Sequence, residues 1–113
     1  MIARVWSVQA TPAQAPGYVD HLKTHVLPTV RKLHGYTGAM LLEREVSGAV
    51  EILVITWWRS LEAIRGFAGA DVEDAVVAGD AAALLTQFDR RVRHYHLVVE
   101  DDAGGGGRSA CVT

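Results

Sequence analysis

The sequence predicts an α+β domain in which four antiparallel strands form one sheet and helices cover one of its faces. Three observations carry this expectation. Residues 51–58 (EILVITWW) read as a strand that is apolar on both alternating sets, Leu53/Ile55/Trp57 and Ile52/Val54/Trp58, so it must be buried on both sides. Tyr18, Val19, Leu22, Val26, Val30 and Leu33 recur at helical spacing. Ser47 and Gly48 lie between two strand patterns, where a two-residue hairpin turn belongs.

Taken in order, residues 2–9 (IARVWSVQ) set Ala3/Val5 against Arg4/Trp6/Val8 and form a first strand. Residues 11–16 break the pattern, and an amphipathic helix follows over 16–33. Pro28 should kink or divide that helix, because proline has no N–H for the ladder and its ring crowds the preceding turn. Gly35 and Gly38 end it. Residues 38–46 and 50–58 pair as an antiparallel hairpin. Ser60 can cap a short helix running to about Phe67, with Glu62 in the favourable first turn and Gly69 as its stop. Asp71 and Asp80 can cap two further turns, the second carrying Leu84, Leu85 and Phe88. Residues 91–100 (RVRHYHLVVE) form the fourth strand. The domain thus spans 1–100, and the segment 101–113 has too little apolar content to pack and is expected to be disordered.

The order β-α-β-β-α-β is the ferredoxin-like arrangement. A chain of 113 residues has helices enough for only one face of such a sheet, and the doubly apolar third strand implies that the other face is also covered. A homodimer with two sheets packed face to face across a two-fold axis meets that need.

Composition narrows the partners. Eleven basic against 13 acidic side chains leave a net charge of −2 without a basic run, which argues against nucleic acid. Cys111 is the sole cysteine. That excludes an intrachain disulfide framework and a multi-cysteine zinc site, and a cytoplasmic setting is expected. No apolar run approaches the roughly 18 residues of a membrane helix, and no signal-peptide pattern opens the chain, so a soluble protein without a membrane partner is expected. The four glycines at 104–107 precede no helix, and neither a phosphate loop nor a nucleophile elbow is present.

Three blocks carry a family resemblance: VLPTVRKLHGYTGAMLLERE (26–45), VEILVITWWRSLEAIRGFAG (50–69) and FDRRVRHYHLV (88–98). Over residues 1–100 the chain resembles the antibiotic biosynthesis monooxygenases of the dimeric α+β barrel superfamily. The resemblance implies a pocket in each subunit between sheet and helices. It further implies oxygenation of an aromatic, polyketide-like substrate such as an anthrone or hydroquinone, with no flavin, haem or metal cofactor. Such a reaction needs an apolar cavity, a base, donors for a developing oxyanion and exclusion of water. A polycyclic substrate requires at least about 300 Å³. Other relatives degrade haem or isomerise lactones, so an isomerase or cyclase, or a non-catalytic ligand-binding dimer, is the alternative.

The candidate catalytic residues are His25, Trp58, His94 and His96. His25 stands three residues after Leu22 and seven after Tyr18, at the edge of the first helix's apolar face, where a base is useful. Trp58 occupies the place where the resemblance puts a tryptophan before a serine-led helix; it can stack on a flat substrate or pack in the core. His94 and His96 share one strand face and Tyr95 the other. Spacing leaves open which of these faces the helices, although Arg91 and Arg93 share the Tyr95 side and suit a rim. Tyr18, Leu22, Arg65, Phe67 and Tyr95 are the candidate substrate contacts. His21 and His25 stand four apart, but an HxxxH pair without a third ligand is no metal site. The chain has no asparagine, which the resemblance would place in the pocket, and no histidine from 35 to 93, where haem-degrading relatives carry an axial ligand.

Overall fold

The sheet is built around β1 (Ile2–Ala10). Along its whole length β1 pairs antiparallel with β3 (Ala49–Trp58), from Ile2 opposite Trp58 to Ala10 opposite Val50. β2 (Tyr36–Val46) forms the outer edge against β3. On its other side β1 receives two short strands, β4 (Gln87–Phe88) and β5 (Arg93–His96). The computed structural model describes residues 1–77 and 79–102; apart from 101 and 102, the segment expected to be disordered lies outside the described residues.

The sheet therefore has five strands, not four. The expected strand over 91–100 is interrupted at its start and cut short at its end. At the start, Arg91 bridges Asp74 and the Val92 N–H donates to the Glu73 carbonyl at 2.8 Å, so this stretch pairs with the 71–77 segment instead of with β1. At the end, β5 runs off β1: His96 lies opposite Ile2, the Leu97 N–H bonds Met1 O, and beyond it Val98 and Val99 have no strand to meet. Phe88, expected on a helix, lies in β4 opposite Val8, with its ring edge-on to Trp6 at 6.0 Å.

The hairpin forms as its turn chemistry requires. Ser47 (φ 51°) and Gly48 (φ 81°) both take positive φ, the signature of a type I′ turn whose twist matches the strands it joins. After β1, the Thr11 hydroxyl accepts the Gln14 N–H at 3.1 Å and starts α1 (Ala15–His21). Pro16 is harmless in a first turn that has no use for its N–H. The helix then widens into a π-helical segment, Leu22–Val26, and tightens again as α2 (Leu27–Val30). The wide turn lies immediately ahead of Pro28, which removes an N–H from the ladder, and this is the division expected there.

Ser60 caps α3 (Leu61–Ala68) by accepting the Ala63 N–H at 3.1 Å, and Gly69 (φ 89°) ends it. Asp71 starts no helix: its carboxylate accepts the Glu73 N–H and pairs with Arg91. A four-residue helix, α4 (Gly79–Ala82), follows. Among the described residues, helices pack on one face of the sheet only. Val8, Ala10 and Ile52 meet Ala15, Tyr18 and Leu22, while Ile2 and Trp58 meet Val30 and Ile64. The opposite face carries Val5, Leu53, Ile55, Trp57, Met40 and Leu42 with no helix over it.

Candidate functional site

A cavity of about 230 Å³ lies between the helix-bearing face of the sheet and the helix that passes through the π-helical segment. Its shape follows from two periodicities. Tyr18, His21, Leu22 and His25 are spaced i, i+3, i+4 and i+7, so one helix face presents all four. Arg4 and Trp6 on β1, with Val54 and Thr56 on β3, are the alternate residues that point toward that helix. Phe67 of α3 closes one end, and Val76, Val77 and Val92 supply a third wall. The lining is predominantly apolar, so the few polar groups in it set its chemistry.

Two of those groups have no hydrogen-bond partner among the described residues. Tyr18 is 1% exposed, and its hydroxyl oxygen meets no such partner. Burial pushes its pKa well above that of a free phenol, which keeps it a neutral donor. The Nε2 atom of His21 is likewise buried and unpartnered. Buried polar atoms are nearly always bonded, and each exception calls for an explanation. An oxygen-bearing ligand would satisfy both. The His21 and His25 rings lie 5.3 Å apart, with His25 on the exposed side.

The third polar group is Arg4, 4% exposed. Its Nη1 donates to the Val72 carbonyl and, at 3.2 Å, meets Nε2 of His94; its Nη2 donates to the Asp74 carbonyl at 2.7 Å. The guanidinium also lies over the Phe67 ring, 5.6 Å from the centroid. Burial lowers its pKa to about 10, and the Asp74 charge opposes that shift. Arg4 is thus a cation at neutral pH. An arginine cannot accept, so Nε2 of His94 must, which makes His94 a neutral imidazole with its proton on Nδ1. Burial first, and then the Arg4 charge, lower the His94 pKa in agreement with this.

The structure gathers some of the expected site residues and separates others. Tyr18, Leu22, His25 and Phe67 line the cavity. His94 reaches it only through Arg4. Trp58 lies at the far end of β3, completely buried, with its ring stacked on Phe67 at 5.8 Å and its indole N–H held by the Thr56 hydroxyl at 2.8 Å. That is core packing, off the cavity lining. His96 faces the helix side opposite Ile2 but is exposed, and Arg65 is exposed on α3. Tyr95 pairs with Ala3 on the helix-free face, 52% exposed, because the register that sets His94 opposite Arg4 turns its neighbour away.

Arg4 and the cavity role of His21 were not among the expected contacts. The available signal for Arg4 was a charged residue set on the same strand face as Trp6 and Val8. Among the described residues no group of three or more His, Cys, Asp or Glu side chains converges on a point, so His21 and His25 gain no third ligand. Nor, among them, is any helix long and apolar enough to cross a membrane.

Known proteins share this architecture. The chain is 27% identical over 110 residues to the uncharacterized protein Rv2558 of Mycobacterium tuberculosis, matching 97% of this chain and 44% of that one; it spans less than half the length of this curated relative. Among solved structures, it superposes on a Bacillus cereus protein assigned to the antibiotic biosynthesis monooxygenases with a TM-score of 0.67 at 16% identity, covering 91% of this chain and 96% of the other. It superposes on the ActVA-Orf6 monooxygenase of Streptomyces coelicolor, solved with nanaomycin D, with a TM-score of 0.60 at 17% identity over 89% and 88%. The haem degrader MhuD of M. tuberculosis, solved with two haems in its active site, gives 0.59 at 21% identity over 90% and 100%. These likenesses establish a shared fold. The antibiotic biosynthesis monooxygenase model matches residues 1–79, and the chain belongs to that family.

Proposed function

We propose that the protein is a small homodimeric oxygenase that acts, without a bound cofactor, on a compact aromatic phenol or enolisable ketone held in this cavity. The observation that carries the reading is the pairing of an apolar cavity with two buried, unpartnered polar atoms, Tyr18 Oη and His21 Nε2. An imidazole is the side chain most often used as a general base, and Tyr18 is a donor fixed in its neutral form. His21 takes the proton from the substrate while Tyr18 donates to the oxygen that becomes negative. The resulting anion passes an electron to dioxygen, the two recombine as a peroxide anion on a ring CH, and that anion takes back the proton held by His21 to become a hydroperoxide. Loss of water from that hydroperoxide leaves a carbonyl, so one oxygen atom is kept and the other departs as water.

The cavity volume refines the substrate. At about 230 Å³ it falls short of the roughly 300 Å³ at which drug-sized pockets begin, which favours one or two fused rings over a polycyclic skeleton. A macrocycle such as haem fits still less well, and the chain has no histidine between residues 35 and 93. The homodimer reading rests on the helix-free sheet face, where Leu42 and Tyr95 are 50% and 52% exposed beside Ile55 and Trp57. That is an apolar surface of the kind two copies bury together.

The test is oxygen uptake by metal-stripped protein with one- and two-ring hydroquinones and cyclic aryl ketones, using isotope-labelled dioxygen and product mass. Enzyme-dependent incorporation of one labelled atom supports the reading, and uptake no faster than buffer autoxidation refutes it. The same His21 and Tyr18 pair also suits isomerisation, which would give a product of unchanged mass.

A further inference from the structure

We propose that Arg4 is an anion-recognition site, and that the ligand of this cavity is an aromatic molecule carrying an ionised oxygen, carboxylate or phenolate, that pairs with its guanidinium. The inference rests on the cavity being the binding site and does not depend on oxygenation.

Burying a cation is costly unless it is paired, and Arg4 is 4% exposed. Among the described residues its contacts are two backbone carbonyls, a neutral imidazole and an aromatic face. No described carboxylate lies within ion-pair distance; Asp74 offers its carbonyl, and its charge acts on Arg4 only through space. A guanidinium has five N–H donors. The Val72 and Asp74 carbonyls and His94 use three of them, which leaves two for a ligand at a group that lines the cavity. Planar, charge-assisted recognition of an oxyanion is what this side chain does best.

His94 serves as a positioning residue. It gives Arg4 a lone pair in place of a charge, so the guanidinium is held still without being neutralised. A carboxylate in its place would anchor the side chain equally well and cancel its attraction for a ligand. The arrangement of two carbonyls and one imidazole therefore holds a cation in an apolar cavity with no carboxylate in contact with it, its charge offset only through space by Asp74.

The experiment is equilibrium binding to the full-length protein, by calorimetry, of two near-isosteric pairs: benzoate against benzamide, and para-nitrophenol against para-nitroanisole at a pH where the phenol is half ionised. Visible absorbance reports the ionisation of the bound nitrophenol. The expected result is a preference of about tenfold or more for an ionised member over its neutral isostere. Benzoate over benzamide identifies a carboxylate ligand. Nitrophenol bound as the anion, without a benzoate preference, identifies a phenolate. The preference should vanish in Arg4→Gln and survive, weakened, in Arg4→Lys, with circular dichroism reporting the fold of each. If Arg4→Gln does not fold, the wild-type pairs and Arg4→Lys still decide. Equal affinity within both pairs, a preference unchanged in a folded Arg4→Gln, or no binding of any probe up to millimolar concentration overturns the proposal. Oxygen uptake plays no part in the readout, so a failed oxygenase assay and a failed anion site remain distinguishable.

Discussion

Replacing Tyr18 with phenylalanine should move stability and binding in opposite directions. The ring is 1% exposed and packs in the larger core cluster with Val8, Ile52 and Leu22, and Tyr18→Phe keeps that packing. What it removes is a hydroxyl with no partner in the free protein. An unsatisfied buried polar group costs about 1–3 kcal/mol, so the variant should gain about 1 kcal/mol or more. For a domain of this size that corresponds to a rise in Tm of about 4–8 °C. On the proposed function the same hydroxyl donates to the ligand oxygen, so its loss should weaken a phenolic or carboxylate ligand by about five- to tenfold. The assays are urea and thermal unfolding of the ligand-free protein and calorimetric titration with whichever probe binds the wild type. A loss of stability of about 1 kcal/mol with unchanged affinity would refute the reasoning, because it would mean that the hydroxyl is already bonded, to solvent, in the free cavity.

Three further outcomes are expected. Gly35→Ala should cost about 2–4 kcal/mol, because Gly35 sits at φ +88° and an added Cβ would lie 2.4 Å from the Ala63 Cβ; urea unfolding should show it, Ala63→Gly should recover the steric part, and a loss under about 0.5 kcal/mol would contradict the close approach. Burial and the Arg4 charge hold the His94 pKa below its ordinary 6.5, with Glu73 opposing, so the unfolded chain takes the proton first. The associated stability is complete above about pH 6.5 and is lost as pH falls through the folded value; the urea midpoint should drop on acidification, and His94→Gln should flatten that slope. Finally, Ile55→Glu, on the helix-free sheet face, should give a folded monomer in analytical ultracentrifugation, and a variant that stays dimeric would place the interface elsewhere.

What could be read from the sequence was what local chemistry dictates. Ser47-Gly48 specifies a type I′ turn without help from the rest of the chain, and Ser60 with Gly69 brackets α3 for equally local reasons. The helix face bearing Tyr18, Leu22 and His25 followed from spacing alone. The fourth strand departs from its pattern because its fate depends on distant residues: whether 91 and 92 join β1 or the 71–77 segment is decided by Asp74 and Glu73, and its end is set by where β1 begins. The same holds for the site. Trp58 and Trp57 are indistinguishable in composition, and only the pairing of β3 with Ile2 under α3 shows that Trp58 is core. In the sequence His21 stands out only as half of an HxxxH pair, whereas in the structure it carries an orphaned ring nitrogen, a property that exists only once the helix has docked.

Arg4 links the fold to the site more tightly than any other residue. The 71–77 segment that forms the third wall is tied from outside by Arg91, through Asp71 at 2.5 Å and Glu73 at 3.1 Å, but those pairs are solvent-exposed, and such pairs contribute little to stability. From inside it is tied by the Arg4 guanidinium through the carbonyls of Val72 and Asp74. These bonds are partly buried and charge-assisted, the stronger kind. The same side chain therefore holds the wall and lines the cavity, and because a guanidinium is rigid, any donors left for a ligand are oriented by the ones already spent on the wall. A lysine would keep the charge but not this division of donors between wall and ligand. On the role proposed for Arg4, wall position and ligand affinity are set together: whatever orders the 71–77 segment also orients the cation offered to a ligand.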